Sequence, residues 1–475
     1  MSGSKRLSLN WSRVALTWLP FADAASADLP LSRLLRLALF QVSVGMTTVL
    51  LNGTLNRVMI VELHLPAWLV AVLIALPLLF APFRALIGHK SDTHRSVLGW
   101  RRVPYIWFGT LMQFGGLAIM PFALLLLGSD GGFAAGLIGS TLAFLLAGAG
   151  LHTTQTAGLA LATDLAPAER RPRVVALLYV MLLAGMMLSA MIIGSLLVDF
   201  RPTRLVQVVQ GAAVLSLVLN ITALWKQEAR SQAVIAEDTP RASFVEVWER
   251  FSAEHHTRRL LTAIGLGAAA FAMQDALLEP YGGEVLGLSV GATTSLTGMW
   301  ALGTLVGFAA TARQLAHDAD PLRVAGFGVA TGIGAFLLVI FAAPLGLPVL
   351  LAFGAATIGF GGGLFSVGTM VAAMGLAEEG TSGIALGAWG AVQASGAGLA
   401  IAFGGILRDA ISRIAVADGL GATLANRSTG YTTVYLIEII LLLATLVVVG
   451  PLVGRDRNHA PKPNPARFGL TEFPT

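Results

Sequence analysis

The chain has 475 residues, of which 55% are hydrophobic and 12% charged, with a mean hydropathy of +0.76. Water-soluble domains carry about 25% charged residues, so this composition excludes one and defines a polytopic membrane protein. The formal charge of +5 reads as a topology signal and contact with anionic lipid, giving no reason to invoke nucleic acid, while the lack of cysteine excludes disulfides, thiolate catalysis, iron–sulfur clusters and cysteine zinc sites.

The first residues, MSGSKRLSLNWSRVALTWLP, hold no uninterrupted apolar core followed by a small-residue cleavage site, so the first span is expected to act as its own insertion signal. Apolar runs of about 20 residues predict twelve transmembrane helices, starting near Leu34, Pro66, Pro104, Phe133, Val174, Leu205, Leu260, Val290, Leu322, Leu347, Ile384 and Tyr431. The break between the ninth and tenth, FAAPLGLP, is very short. With both termini cytoplasmic, 25 of the 31 lysines and arginines fall on that side, and the positive-inside rule selects this orientation. The longest hydrophilic stretch divides the chain into a cytoplasmic segment (1–33), a six-helix half (34–225), a linker (226–259), a second six-helix half (260–454) and a tail (455–475). In the linker, Phe244, Trp248 and Phe251 recur at helical spacing, as expected of an amphipathic surface helix or a packed linker helix.

The halves echo each other. LNRVMIVELHLP at the end of span 1 resembles LLEPYGGEVLGLS at the end of span 7, with Glu62 and Glu284 in corresponding places. Two six-span halves joined by a long cytoplasmic loop describe an all-α, major facilitator-like architecture.

Polar residues in span 1, including Gln41, Asn52 and Asn56, share a helical face and are expected either to glue helices together or to wall a central cavity. Arg57 continues that face, and span 7 answers with Gln274, Asp275 and Glu279. Intramembrane charge is functional by default, so Arg57 is expected as counter-charge to Asp275 or Glu279, unless Arg57 and Glu62 simply snorkel to the headgroups, the fate expected of Glu62. In span 4, His152, Gln155 and Thr156 lie on one face at i, i+3, i+4. A neutral imidazole ligates a metal or the magnesium of a chlorophyll-type macrocycle, and a glutamine carbonyl does so more weakly; the alternative role is structural hydrogen bonding. Gln393 in span 11, one turn after Trp389, is a further ligand candidate beside a ring, or a packing residue.

The second connection, GHKSDTHRSVLGWRR, resembles the major facilitator charge clamp, with Gly88, Asp92, Arg101 and Arg102 matching by type but with Asp92 and Arg101 further apart than usual. The glycine-rich GFGGGLF lacks the Gly-Lys-Ser/Thr ending of a phosphate loop and is expected to serve close helix packing. There is no His-Glu-x-x-His, no serine elbow and no carboxylate pair in a soluble pocket, so no catalytic or metal site is expected.

The stretches LNRVMIVEL, APFRALIGHKSDTHRSVLGWRRVPYIW, HTTQTAGLALATDLAPAERRPRVVALLYVML, QDALLEPYGGEVLGLSVGATTSLT and LGAWGAVQASGAGLA resemble the LhaA/PucC-type light-harvesting assembly proteins of purple phototrophic bacteria. That family is the bacteriochlorophyll-delivery branch of the major facilitator superfamily, and the amino-terminal segment looks more like the branch serving the core antenna, LH1. The resemblance implies a non-enzymatic cytoplasmic-membrane factor that handles bacteriochlorophyll while antenna α and β polypeptides insert during assembly of the reaction-centre/LH1 complex. It also implies association with chlorophyll synthase and the translocation machinery. The competing expectation is an alternating-access transporter of a porphyrin-like or other small molecule.

Overall fold

A computed structural model describes residues 24–25, 29–79, 100, 102–129, 131–167, 170–228, 255–315, 317–375, 382–417, 426 and 428–454. The clamp residues Gly88, Asp92 and Arg101, and the linker's Phe244, Trp248 and Phe251, lie outside these residues. The helices are α1 (Leu31–Glu62), α2 (Ala67–Leu79), α3 (Val103–Leu127), α4 (Phe133–Leu165), α5 (Arg171–Leu196) and α6 (Pro202–Leu224) in the first half. The second half has α7 (His256–Glu284), α8 (Val290–Leu315), α9 (Pro321–Leu345), α10 (Pro348–Gly375), α11 (Ser382–Val416) and α12 (Ser428–Val449). Eleven of them are long and apolar enough to cross a membrane; α2 is described only to Leu79.

Helix boundaries follow local chemistry. Proline occupies the first turn of α3, α6 and α9, where its missing N–H costs nothing. Asp320 caps α9 by accepting from the Leu322 and Arg323 amides. The short break before α10 is possible because Gly346 closes α9 in the left-handed region, at φ 62°.

The two halves repeat the same packing. The pairs α1/α5, α1/α6, α3/α4, α3/α6 and α2/α4 recur as α7/α11, α7/α12, α9/α10, α9/α12 and α8/α10. Between halves, α2 packs on α11 and α5 on α8, two contacts that the repeat also exchanges. At the α5/α8 seam a Cβ on Gly291 would stand 2.4 Å from the Gly194 carbonyl oxygen, so only glycine permits this approach.

The ends of odd-numbered helices and the starts of even-numbered ones form one face, here called distal; the opposite face is proximal. One apolar core runs through both halves at the middle and distal levels. Proximally the core divides, one cluster drawing only on the first half and the other only on the second.

Candidate functional site

The distinctive segments of α1 and α7 are not regular α-helix. In α1, π-helical turns at Val49–Thr54 and Val58–Glu62 flank Asn56 and Arg57. In α7, a 3₁₀ turn at Met273–Ala276 carries Gln274 and Asp275. Pro280 explains the second irregularity: it has no N–H, and its ring clashes with the carbonyl four residues back, at Ala276. Irregular turns at corresponding places in the two halves are where repeat-built membrane proteins place their sites.

Immediately proximal to these turns lies a cavity of about 400 Å³ between the halves. Its polar groups include Asn52 of α1, His152 and Gln155 of α4, Asp275 of α7 and Gln393 of α11, with hydroxyls from Thr48, Tyr179, Thr304 and Ser366. Its walls include Trp300, Phe271 and Phe365, and most of its surface is apolar. The three candidate pigment ligands, drawn from both halves, thus share one space, with Gln393 donating to the Ser366 hydroxyl at 3.4 Å. Trp389 is not on that wall; its indole N–H donates to Thr369 Oγ1 at 3.1 Å in the proximal core.

Gln41, Asn56, Arg57, Gln274 and Glu279 are buried near the cavity and do not line it. Asn56 donates from Nδ2 to the Asn52 carbonyl and, at 3.0 Å, to the Asp275 carbonyl, tying the halves together. Gln274 donates to the Asp275 carboxylate, and Glu279 accepts from the Thr297 hydroxyl. Gln41 is fully buried, with both side-chain polar atoms outside any hydrogen bond.

Arg57 meets the expectation in part. Its ion-pair partner is Glu62, its charge also acts on Glu279 without a hydrogen bond, and Nη2 donates across the halves to the Leu288 carbonyl at 3.0 Å. Residues five apart sit about 140° apart on an α-helix. The π turn between Arg57 and Glu62 widens the winding and brings them together. Arg57 is therefore buried rather than snorkelling, and Glu62 is held by it.

Further towards the distal surface is a cluster that sequence reading missed. Arg408 of α11 binds Glu284 of α7, donates to Asp409 Oδ1 at 2.8 Å and to Tyr431 Oη at 3.0 Å, and lies 4.4 Å from the Tyr431 ring centroid. Tyr431 donates to Glu284 at 2.8 Å. The other oxygen of Asp409 accepts from the Trp68 amide at 2.9 Å, capping the start of α2 from the opposite half. Thr54 and Thr294 add a hydroxyl contact between halves at 3.2 Å.

On the proximal side, Arg102 pairs with Asp164 at 3.0 Å, within the first half. The carboxylate of Glu228 accepts from the Arg102 and Val103 amides, and Arg33 bonds Gln227. In the second half, Arg259 donates to the Val448 carbonyl and Asp320 accepts from the Gly454 amide.

Two pseudo-repeated halves around a central cavity, sealed to each other on one face, define a multi-pass membrane protein with the fold of the facilitator transporters. A bacterial homologue of the human lysosomal transporter Spinster, in an inward-facing state, superposes with a TM-score of 0.65 over 93% of this chain and 98% of its own, at 14% identity. That likeness shows the fold alone. The model of the PUCC protein family matches residues 54–457, and the chain belongs to that family. It is 57% identical to Protein PucC of Rhodovulum sulfidophilum over 83% of this chain and 88% of the relative. It is also 56% identical to a Rhodobacter capsulatus protein described as uncharacterized and lying in the puhA-bchM intergenic region, over 97% and 98%. The Bacteriochlorophyll synthase 44.5 kDa chain of Rhodobacter capsulatus is 32% identical over 79% and 86%.

Proposed function

We propose that the protein is a non-enzymatic assembly factor for the light-harvesting 1/reaction-centre complex, which holds bacteriochlorophyll in its central cavity while antenna α and β polypeptides insert. The observation that carries this reading is the convergence of His152, Gln155 and Gln393 from both halves on one mainly apolar cavity with aromatic walls. Such a wall suits a flat, largely apolar macrocycle better than a sugar, whose hydroxyls each need a partner. A bound pigment would supply a magnesium ion able to accept a nitrogen or oxygen lone pair, for which His152 would be the strongest donor and Gln155 and Gln393 weaker ones. At about 400 Å³ the cavity lies towards the small end of ligand sites, so a pigment's long tail is left to the space between helices or to lipid. Membership of the PucC family, and the name of the synthase-chain relative, favour the same ligand class. The protein resides in the bacterial cytoplasmic membrane with both termini inside, as the basic residues argue. Its partners are the antenna polypeptides and the core complex, with chlorophyll synthase and the translocation machinery as associates.

The test is an absorption spectrum of the protein purified in mild detergent from pigment-making cells, beside His152→Ala at matched yield. A near-infrared band that the variant loses is expected. A band retained by both would remove His152 as ligand while leaving pigment handling, and no band in either would reject pigment carriage. The second reading, an alternating-access transporter, draws on the restriction of the described half-to-half bonds to the distal side of the cavity. A probe at position 52 that becomes reachable from both faces would favour it.

A further inference from the structure

Glu438 has no place in the functional reading above. It sits within the apolar α12, is fully buried, and neither carboxylate oxygen closes a hydrogen bond. The backbone amide of Gln274 approaches it, and the charged group facing it is Asp275, of the same sign. Asp275 in turn lines the cavity.

Among the described residues neither Glu438 nor Asp275 has an ion pair: His152 lines the cavity with Asp275, and Arg57, paired with Glu62, acts on Glu279. From α7 come Asp275 and Tyr281, whose hydroxyl donates to the Val339 carbonyl at 3.2 Å; Glu279, on the same helix, is held by Thr297. Arg259, at the start of α7, is bonded to backbone carbonyls near the proximal end of α12. From α11 comes Arg408, engaged by Glu284, Asp409 and Tyr431. From α9 come the apolar Phe336 and Val339. On α12 itself, Tyr435 and Tyr431 lie one and two turns towards the distal face, and Tyr281 packs on both, with ring centroids 5.4 Å apart in each pair. An isolated carboxylate within a membrane bundle is costly, and two facing carboxylates without a paired cation cannot both stay ionised.

We propose that Asp275 and Glu438 form an intramembrane proton-binding site beside the central cavity, with Asp275 as the exchange point towards the cavity and Glu438 as the buried partner. Filling and emptying the site changes the charge of the cavity wall by one unit, so whatever occupies the cavity is coupled to proton uptake. The site stands on its own geometry and holds whichever ligand the cavity takes.

The full-length protein in mild detergent is titrated from acid to alkaline pH while difference infrared spectroscopy follows the carbonyl stretch of protonated carboxyl groups. The wild type is expected to lose such a band as the pH rises. Glu438→Gln and Asp275→Asn should each remove or shift that band, with Glu62→Gln leaving it in place, and unfolding temperatures identify variants that have folded. Dicyclohexylcarbodiimide, which modifies protonated carboxyls in apolar surroundings, needs no variant: peptide mass spectrometry should find the label on Glu438 and less of it at alkaline pH. An unchanged band in both folded variants, or no label on Glu438 at any pH, would overturn the proposal. Protection of Glu438 by sodium at constant pH would overturn it too, making this a metal-cation site.

Discussion

The distal and proximal ends of the interface between halves are built differently. Distally, α2 is capped by Asp409 from the other half, Arg57 reaches the Leu288 carbonyl, and a single apolar core spans both halves. Proximally, each half keeps its own core, and the described ion pair, Arg102 with Asp164, closes within the first half. A bundle so arranged is joined at its distal end, and the central cavity lies at the level where joining gives way to separation.

Substitutions can break this asymmetry, and the largest effect is expected at Arg408. Arg408→Ala leaves Glu284 and Asp409 buried without their cation, a change that typically costs about 3–5 kcal/mol. Thermal unfolding in detergent should drop sharply, and a single cysteine introduced near the distal seam should react faster with a water-soluble maleimide. The chain has no native cysteine, so that label is unique. Unchanged stability would mean the cluster is only a surface ornament.

Gly291→Ala comes next. The new methyl group meets the Gly194 carbonyl and must push α5 from α8, at a cost of about 1–3 kcal/mol, the usual range for overpacking. Crosslinking across that seam should fall, with the α2/α11 seam less affected. Arg57→Gln removes the Glu62 pair and the bond to the Leu288 carbonyl together, with an expected loss of about 1–3 kcal/mol. The smallest effect sharpens the contrast: Asp164→Asn weakens a half-exposed pair worth up to about 1 kcal/mol and should leave distal cysteine reactivity unchanged.

Much of this architecture is legible in the sequence because hydropathy and repetition are local signals. The helix starts, the split into halves and the facing pair His152 and Gln155 follow from periodicity alone. The arrival of Gln393 beside them does not, since only the packing of α11 on α7 and α2 brings it there. The distal cluster was invisible for a similar reason: Glu284 lies 124 positions from Arg408 and 147 from Tyr431. The Arg57–Glu62 pair was hidden by geometry, because a 3.6-residue period puts Glu62 on another face and nothing in VMIVE announces a π turn. Glu438 did leave a signal that the sequence reading passed over, an acidic residue inside the apolar run YLIEIILLL.

The π turns in α1 have a consequence for how this segment tolerates change in length. Each accommodates an extra residue within a helix that still crosses the bilayer. Deleting one residue between 58 and 61 would set Arg57 and Glu62 four apart, about 40° from each other in ordinary winding, so the pair would no longer need the π turn. Ordinary winding at the present length would instead set Glu62 about 140° from Arg57, facing new neighbours. Residue number within this stretch therefore acts as a setting of angular phase, which fixes the partner that each charged group meets.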